Sequence, residues 1–438
     1  MAARDDRLAN RILAGLLIGA AAGALVLLVG AFAPPVLDGA RWLATYVLEP
    51  IGQVFLRLLF FVIVPLIFAS LATGVVQLGR LSRLGPLAGR TFMLFSFNMA
   101  IAVALGMVMM NVVRPGDALD EPTQVRLVEE YGGAAAKHIE RQAGAPKVTP
   151  ATVVEMFMPR NLFGAFVGSE RNTLGDVLPL ILFAILVGAA GTSLAEDRRL
   201  RLQSSLETIT ELMTTIVHFA LRIAPYAVPA LIFSVVVKIG WDILVALGLF
   251  VAGCASVMLL HLFGTMSIWL KVWTKHRPIG FFKQIESVLI TAFSTSSSAA
   301  TLPTALDVAR NKLGVQPSVA GFVLPLGTTM NMSGTALYEG CVVLFVAQVF
   351  GVEMGFVQQV TLLLLAVLSA VAVAAIPGGS LPLIAGLLIS FGIPPEGIGI
   401  ILGVDRILDM TRTMVNVGSD VVTTVVVDAQ VGKPETAT

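Results

Sequence analysis

The sequence predicts an all-α integral membrane protein, and three observations support that prediction. Apolar residues make up 56% of the 438 residues and charged residues only 13%, whereas a typical soluble domain has about 25% charged residues. Apolar stretches of roughly 20 residues, long enough to cross a bilayer core, recur between Ile12 and Val427. The formal net charge of +1 provides no charged field for a nucleic acid, so the lipid bilayer is the expected main partner.

The positions of arginine and lysine predict the orientation of the chain, because basic residues resist translocation. The clusters in alternate loops that we expect in the cytoplasm are Arg4 to Arg11, Arg80 to Arg90, Arg198 to Arg201 and Lys271 to Lys283. The long polar insert from about Arg114 to Arg160 is expected on the outside. The chain is thus predicted to be a multi-pass protein of the inner (plasma) membrane with a cytoplasmic N-terminus and a retained first helix.

From Ser287 onward, polar and helix-breaking residues interrupt the apolar runs at places that a lipid-facing helix would not tolerate. The interruptions are Ser294–Ser298 followed by Pro303, Thr328–Thr335, Ile376–Pro382 and the charged run Asp405–Asp420. An apolar segment with a small-residue tip, followed by a long helix with polar groups, occurs twice, which predicts a pair of internal repeats. Broken segments in corresponding positions are typical of the binding site of a membrane transporter.

The run Asp405–Asp420 carries the densest set of polar groups. As a helix at roughly 100° per residue it presents one polar stripe, formed by Asp405, Asp409, Arg412, Thr413, Asn416 and Asp420. An ionisable group at the centre of a membrane span costs at least about 2.5 to 3.5 kcal/mol, so this stripe must face water, a ligand or its own partners. Two plainer interpretations stay open: a surface amphipathic helix, and an Asp409–Arg412 pair at spacing i, i+3 that only neutralises itself.

The functional interpretation assigns Arg412 and Asp409 to separate ends of one zwitterion. A guanidinium is a planar fork that fits a carboxylate, and a carboxylate is the natural counter-ion of an ammonium group. The pair therefore predicts an amino acid with an additional side-chain carboxylate. Asn416 and Thr335 offer neutral donors for the remaining carboxylate oxygens, and the serine and Pro-Gly tips are expected to close the site with backbone groups.

Two other functional classes fit the sequence less well. An intramembrane hydrolase with a serine nucleophile needs a base beside the serine, and the four histidines are badly placed, since His138 and His276 lie in polar segments and His218 and His261 on apolar helices. The chain is therefore not expected to be an enzyme. A channel would line its pore with charge rings or carbonyl filters, which one asymmetric charged stripe does not provide.

Several motifs spread over nearly the whole chain carry a family resemblance. They are Pro159–Ala165, Ser296–Pro303, the Asn331–Thr335 core, Ile376-Pro377-Gly378 and the Asp405–Asp420 run. In these motifs the chain resembles the dicarboxylate/amino acid:cation symporter family, which includes the excitatory amino acid transporters. The resemblance implies eight transmembrane helices, two re-entrant helical hairpins, inverted repeats, a homotrimer and an elevator-type movement of a transport part against a scaffold.

The same resemblance implies a division of the chain into these two parts. Scaffold helices 1 and 2 would occupy residues 1–90, and helix 3 of the transport part residues 91–113. Residues 114–178 would form the external loop and the start of helix 4, and residues 179–240 scaffold helices 4 and 5. Residues 241–430 would form the rest of the transport part, with helix 6, hairpin 1, helix 7, hairpin 2 and helix 8, followed by a short tail in 431–438.

The resemblance also implies roles for individual residues. Arg412 would bind the side-chain carboxylate of glutamate or aspartate, and Asp409 would bind the amino group. The remainder of the implied substrate pocket is Ser297, Ser298, Thr335, Thr413, Asn416 and the gate residues Ile376, Pro377 and Gly378. A C4-dicarboxylate is the main alternative substrate, although Asp409 would repel a substrate that carries only carboxylates.

The sodium sites of relatives are only partly present in this sequence. One implied cation site is complete, with Gly327, Asn331, Asn416 and Asp420. A further site is expected to be lost, because Ser333, Phe95, Asn98 and Met99 stand where sodium-coupled relatives have an acid, a tyrosine and two hydroxyl residues. Ala370–Ala375 also departs from the serine, threonine and glycines that lend carbonyls to another sodium site.

Glu339 is a carboxyl inside a membrane helix, directly after the Asn331–Thr335 core. Burial in a low-dielectric interior favours the protonated form of a carboxyl, and the position resembles the one that binds the coupled proton in excitatory amino acid transporters. We therefore expect proton coupling through Glu339, with sodium as the alternative ion and no other cofactor. The plainer interpretation is a structural acid paired with a donor such as Arg412 or a tyrosine.

Overall fold

The described part of the chain is built from helices. A computed structural model describes residues 2–81, 86–119, 158, 160–162, 177–373 and 380–431, and the regular elements in these ranges are all helical, which confirms the all-helical part of the predicted fold class. The helices of the first half are α1 (Ala2–Gly30), α2 (Pro34–Leu43), α3 (Glu49–Phe61), α4 (Ile63–Leu81), α5 (Pro86–Val113), α6 (Val177–Thr192) and α7 (Glu196–Ile239). The helices of the second half are α8 (Asp242–Leu260), α9 (Met266–Trp273), α10 (Pro278–Gln284), α11 (Glu286–Thr295), α12 (Ser298–Asn311), α13 (Pro317–Met330), α14 (Ser333–Val349), α15 (Phe356–Ala372), α16 (Leu381–Ser390) and α17 (Ile398–Val431).

A few long helical stretches could each cross a membrane. Within the described ranges, Leu87–Ala118, Asp242–Trp273 and Pro317–Val349 are long and apolar enough to cross a membrane. The two arms of α7, which meet at a bend of 53°, would form one further broken span. Pro225 lies in the second arm, and a proline ring clashes with the carbonyl four residues earlier, which accounts for the bend. Shorter apolar helices are Ala14–Gly30, Val64–Val76, Leu182–Thr192, Phe356–Val371 and Leu381–Ser390.

The helices pack in two groups. In the first group, α1 and α3 pack along α7, and α4 packs between α6 and α7. In the second group, α5 packs on α8, α14 and α15, although it precedes α6 and α7 in sequence. An ion pair between Lys238 Nζ and Glu49 Oε1, 2.6 Å apart, ties α7 to α3 within the first group.

Helix α17 is the centre of the second group. It contacts α5, α8, α9, α11, α12, α13, α14 and α16, and it also touches α1 and α7. The helix has 34 residues, and both its polar stripe and its apolar faces are buried, from Val415 to Val427 without interruption. The interpretation of Asp405–Asp420 as an amphipathic helix on the membrane surface is therefore wrong.

The chain breaks helical geometry in the middle of the buried stretch Pro317–Val349, 94% of whose most apolar window is buried in the protein. The break consists of Asn331 and Met332, whose ψ angles are 64° and 54°, and it separates α13 from α14. A second turn joins α11 to α12, where Ser296 has a φ of 48° and the side chain of Ser297 accepts a hydrogen bond from the Ala300 N–H. Both turns lie within interruptions that the sequence predicted. A third predicted interruption contains Ile376, Pro377 and Gly378, which lie outside the described residues.

Gly334 lets α14 approach α17 closely, and this contact yields a test of the packing. A Cβ at Gly334 would lie 2.5 Å from the backbone oxygen of Arg412. Gly334→Ala is therefore expected to push the helices apart and to lower stability by about 1 to 3 kcal/mol, as overpacking does. Gly248→Ala is the matched control, because a Cβ there meets no atom within 4 Å. The measurement is thermal unfolding of the detergent-purified protein, and equal unfolding temperatures for Gly334→Ala and the wild type would contradict the close packing.

Candidate functional site

Two acids and two arginines on α17 form a compact, formally neutral cluster. Arg412 Nη2 and Nε lie 2.6 and 2.8 Å from Asp409 Oδ1, and Arg412 Nη1 lies 3.4 Å from Asp405 Oδ1. Arg406 Nη1 lies 3.4 Å from the other oxygen of Asp409, Oδ2. The side chains of Asp409 and Arg412 are only 5% and 3% exposed, so these charges are neutralised within the cluster rather than by solvent.

Asp409 and Arg412 are thus paired with each other, as the self-neutralising interpretation requires. This pairing does not exclude a binding role, because Arg412 has other partners. Its guanidinium carbon lies 5.0 Å from the ring centroid of Tyr338 on α14, a cation–π contact, and Asp405 supplies a second acid. Arg412 would therefore stay charge-balanced and oriented if Asp409 took a different cationic partner.

Asn416 connects α17 to the break between α13 and α14. Its Oδ1 accepts hydrogen bonds from the backbone N–H groups of Gly334 and Thr335, at 2.7 and 3.3 Å, and its Nδ2 donates to Thr335 Oγ1 at 3.1 Å. The first N–H groups of a helix have no partner within that helix, so Asn416 caps α14 from a neighbouring helix. The positive end of the α14 dipole is thereby held against the polar stripe. Thr413, one turn before Asn416, is also buried, and its hydroxyl donates to the Asp409 carbonyl.

A second polar cluster surrounds Asp420, one turn beyond Asn416. Asn331 Nδ2 donates to Asp420 Oδ1 at 2.8 Å. The backbone of α13 lies against this carboxylate, because a Cβ at Gly327 would come within 2.5 Å of the same oxygen. The other oxygen, Asp420 Oδ2, is buried and has no hydrogen-bond partner among the described residues. The structure thus brings together Gly327, Asn331, Asn416 and Asp420, the residues of the implied cation site.

Two of the four residues at the sodium site that is expected to be lost, Asn98 and Ser333, join a hydrogen-bonded network with this cluster, whereas Phe95 and Met99 belong to the buried apolar core. Asn98 Nδ2, on α5, donates to Asn331 Oδ1 at 3.0 Å. Asn331 in turn donates to Ser419 Oγ at 3.1 Å, and the hydroxyls of Ser419 and Ser333 lie 3.0 Å apart. All of these side chains are fully buried. Among the described residues, no group of three histidine, cysteine, aspartate or glutamate side chains is arranged to hold a metal ion.

Glu339 lies one helical turn after Thr335 on α14 and is fully buried. Its Oε2 accepts a hydrogen bond from the hydroxyl of Ser369 on α15, rather than from Arg412 or a tyrosine as the plainer interpretation assumed. The other oxygen, Oε1, is buried without a hydrogen-bond partner in the part of the chain that is described. A hydroxyl can either donate or accept, so Ser369 can serve both the ionised and the protonated form of Glu339.

The serine tip between α11 and α12 lies beside α17, since both helices contact it. Ser298 is buried in the first turn of α12, and Ser297 is its N-cap. His261, in the long apolar stretch Asp242–Trp273, is fully buried, and neither of its ring nitrogens has a hydrogen-bond partner among the described residues.

Four residues of these clusters were not singled out by sequence reasoning. Tyr338, Ser369, Ser419 and Arg406 are placed by contacts between helices or by the reach of a long side chain. For Ser369 the sequence offered one signal, which is that this hydroxyl residue interrupts an otherwise apolar run. Asp405, by contrast, belonged to the predicted stripe and proves to be the second acid on Arg412.

Comparison with known proteins places the chain in a family. Residues 8–430 match the family described as the sodium:dicarboxylate symporter family. The chain is 32% identical to the proton/sodium-glutamate symport protein of Bacillus caldotenax, with 94% of this chain and 92% of the relative covered. It is 29% identical to the proton/glutamate-aspartate symporter of Escherichia coli (strain K12), with 90% and 87% covered. It is 26% identical to the C4-dicarboxylate transport protein of Bacillus subtilis (strain 168), with 87% and 86% covered. Since the match spans nearly the whole chain, this protein belongs to the sodium:dicarboxylate symporter family of membrane transporters.

Proposed function

We propose that this symporter carries glutamate or aspartate and is driven by protons. The observation that carries the proposal is the buried pair of Asp409 and Arg412, in which Asp405 and Tyr338 hold the guanidinium independently of Asp409. A substrate ammonium can take the place of the guanidinium on Asp409, while the substrate's side-chain carboxylate takes the place of Asp409 on Arg412. Each buried charge then keeps a partner, which avoids the cost of an uncompensated charge.

The α-carboxylate of the substrate is assigned to the neutral donors around the first turn of α14. Asn416 and Thr335 lie at that turn, Thr413 lies one turn before Asn416 on α17, and a helix N-terminus favours a negatively charged group. Ser297 and Ser298 would close the pocket from the serine tip, which packs beside α17. Ile376, Pro377 and Gly378, outside the described residues, are proposed as the gate on the other side.

A C4-dicarboxylate remains the alternative substrate, since one relative is named as a C4-dicarboxylate transport protein. Asp409 argues against it here. A substrate with carboxylates only would face the Asp409 carboxylate with like charge and would offer nothing to replace its cationic partner. The relatives with higher identity are named for glutamate, or for glutamate and aspartate, which supports the amino-acid proposal.

Proton coupling is assigned to Glu339 because of its surroundings. It is fully buried, and its partner is a hydroxyl that can reverse its hydrogen bond when the carboxyl gains or loses a proton. Asp420 has a different partner, since an amide N–H of Asn331 can only donate and so favours the ionised carboxylate. Asp420 with Gly327, Asn331 and Asn416 is therefore the proposed site of a sodium ion if sodium is the coupled ion.

The finer architecture is proposed on the same grounds. We assign α11–α12 and α15–α16 to two re-entrant hairpins within an eight-helix fold with inverted repeats, and a cytoplasmic N-terminus in a homotrimer of the inner membrane. The packing of α5 on α8, α14 and α15 supports placing residues 91–113 with 241–430 in one moving part. The packing of α1, α3, α4 and α6 with α7 supports residues 1–90 and 179–240 as the scaffold.

Uptake by the reconstituted protein tests the coupling ion. Liposomes are expected to accumulate radiolabelled aspartate or glutamate under an inward proton gradient without sodium. Glu339→Gln is expected to reduce this accumulation to the level of empty liposomes, because the amide cannot carry a proton. The same variant should still exchange external for internal substrate, since exchange moves no net proton. Glu353→Gln removes an exposed carboxyl near the end of α14 and is the matched control. Uptake that requires sodium at equal pH would contradict proton coupling and leave the Asp420 cluster as the driver.

Substitution of Asp409 tests the assignment of the amino group. Asp409→Asn is expected to weaken aspartate binding about 10- to 100-fold, the range of a hydrogen bond to a charged group. Succinate binding is expected to strengthen, because the like charge of Asp409 is removed. Succinate is the comparison ligand because it is aspartate without the amino group. Asp307→Asn, at an exposed acid on α12, is the control, and Asp409→Glu keeps the charge. An equal loss of affinity for both ligands would show that Asp409 does not recognise the amino group.

A further inference from the structure

Arg406 has no role in the binding scheme above, yet it touches the residue at the centre of that scheme. Its Nη1 lies 3.4 Å from Asp409 Oδ2, while Arg412 occupies Asp409 Oδ1. Each oxygen of Asp409 therefore carries a different guanidinium. The Arg406 side chain is 11% exposed, so its charge is largely removed from solvent and is balanced by this carboxylate.

The two arginines are held unequally. Arg412 makes contacts of 2.6 and 2.8 Å with Asp409 and is also held by Asp405 and by the ring of Tyr338. Arg406 makes a single contact of 3.4 Å with Asp409, and its Nε is buried without a hydrogen-bond partner among the described residues. Charge-assisted hydrogen bonds of full strength are shorter, at about 2.7 to 2.9 Å. Arg406 is therefore the cation that leaves Asp409 more readily.

An incoming substrate ammonium has to bind Asp409, and Oδ2 is the oxygen with the weaker contact. Arg406 and the ammonium carry the same charge, so they compete for this oxygen and repel each other. We propose that Arg406 determines specificity: by competing with the substrate ammonium for Asp409 Oδ2, it lowers the preference for amino acids over dicarboxylates that lack the amino group. This inference rests on the proposed substrate site at Asp409 and Arg412.

The charge of the whole cluster predicts the same direction. Asp405, Arg406, Asp409 and Arg412 are formally neutral together, and the cluster without Arg406 would carry one negative charge. Aspartate carries one net negative charge at neutral pH and succinate carries two. Loss of the Arg406 charge therefore disfavours succinate more than aspartate. The competition at Oδ2 and the charge balance of the cluster therefore predict the same change: loss of the Arg406 charge raises the affinity for aspartate relative to that for succinate.

Competitive binding to the purified full-length protein tests this role. Unlabelled aspartate and succinate displace radiolabelled aspartate from the wild type, Arg406→Gln and Arg406→Lys, and the ratio of the two dissociation constants is compared. We expect Arg406→Gln to raise the preference for aspartate over succinate about tenfold, which corresponds to ~1.4 kcal/mol. Arg406→Lys keeps the charge and should restore most of the wild-type ratio. Arg222→Gln, at an exposed arginine on α7, should leave the ratio unchanged, and Arg406→Met provides a second neutral variant if glutamine prevents folding.

The ratio separates a specificity role from a structural one. A purely structural arginine would weaken both ligands in proportion, so an unchanged ratio in the neutral variants would overturn the proposal, as would a shift toward succinate. A wild-type protein that binds neither labelled aspartate nor labelled succinate would instead remove the proposed function. Binding of aspartate with an unchanged ratio would remove only the role of Arg406.

Discussion

Asp405, Arg406, Asp409 and Arg412 lie side by side on α17, with at most 11% of any of their side chains exposed. Charges in such a place are stable only when they balance, because an unpaired buried charge costs several kcal/mol. The cluster balances internally, and the helices around α17 bury most of its surface. Each charge of the cluster would keep a partner if a ligand brought both an ammonium group and a carboxylate.

The break at Asn331 and Met332 supplies the neutral half of the site. A continuous helix over Pro317–Val349 would use its N–H groups internally, whereas the break leaves those of Gly334 and Thr335 free to bond Asn416. The break also directs the side chain of Asn331 toward Asp420 and Asn98. The break therefore places the N-terminus of α14 at the predicted substrate pocket and the Asn331 amide at the predicted cation site. Their partners on α17, Asn416 and Asp420, are one helical turn apart.

Glu339 and Asp420 are both buried acids, but their partners differ in chemistry. The Ser369 hydroxyl beside Glu339 can donate or accept, so it tolerates a change of protonation, whereas the Asn331 amide beside Asp420 can only donate. The hydroxyl beside Glu339 can accommodate both forms of that carboxyl, and the amide beside Asp420 offers a donor to the ionised form. The relatives' names include both proton and sodium, and the two acids lie on separate helices, Glu339 on α14 and Asp420 on α17.

Local sequence patterns were sufficient for the helical membrane class, the turns near Ser296 and Asn331, and the polar stripe Asp405–Asp420, because hydrophobic run length, turn residues and helical period are properties of neighbouring positions. They could not reveal Tyr338 under Arg412, Ser369 on Glu339 or Asn98 on Asn331. These pairs join residues 74, 30 and 233 positions apart, and no periodicity links such residues. The contact of Arg406 with Asp409 was equally hidden, since a helical wheel places Cα atoms and not the end of a long side chain. Which charge faces which partner is decided by how the helices pack, because only packing brings those ends together in a buried site.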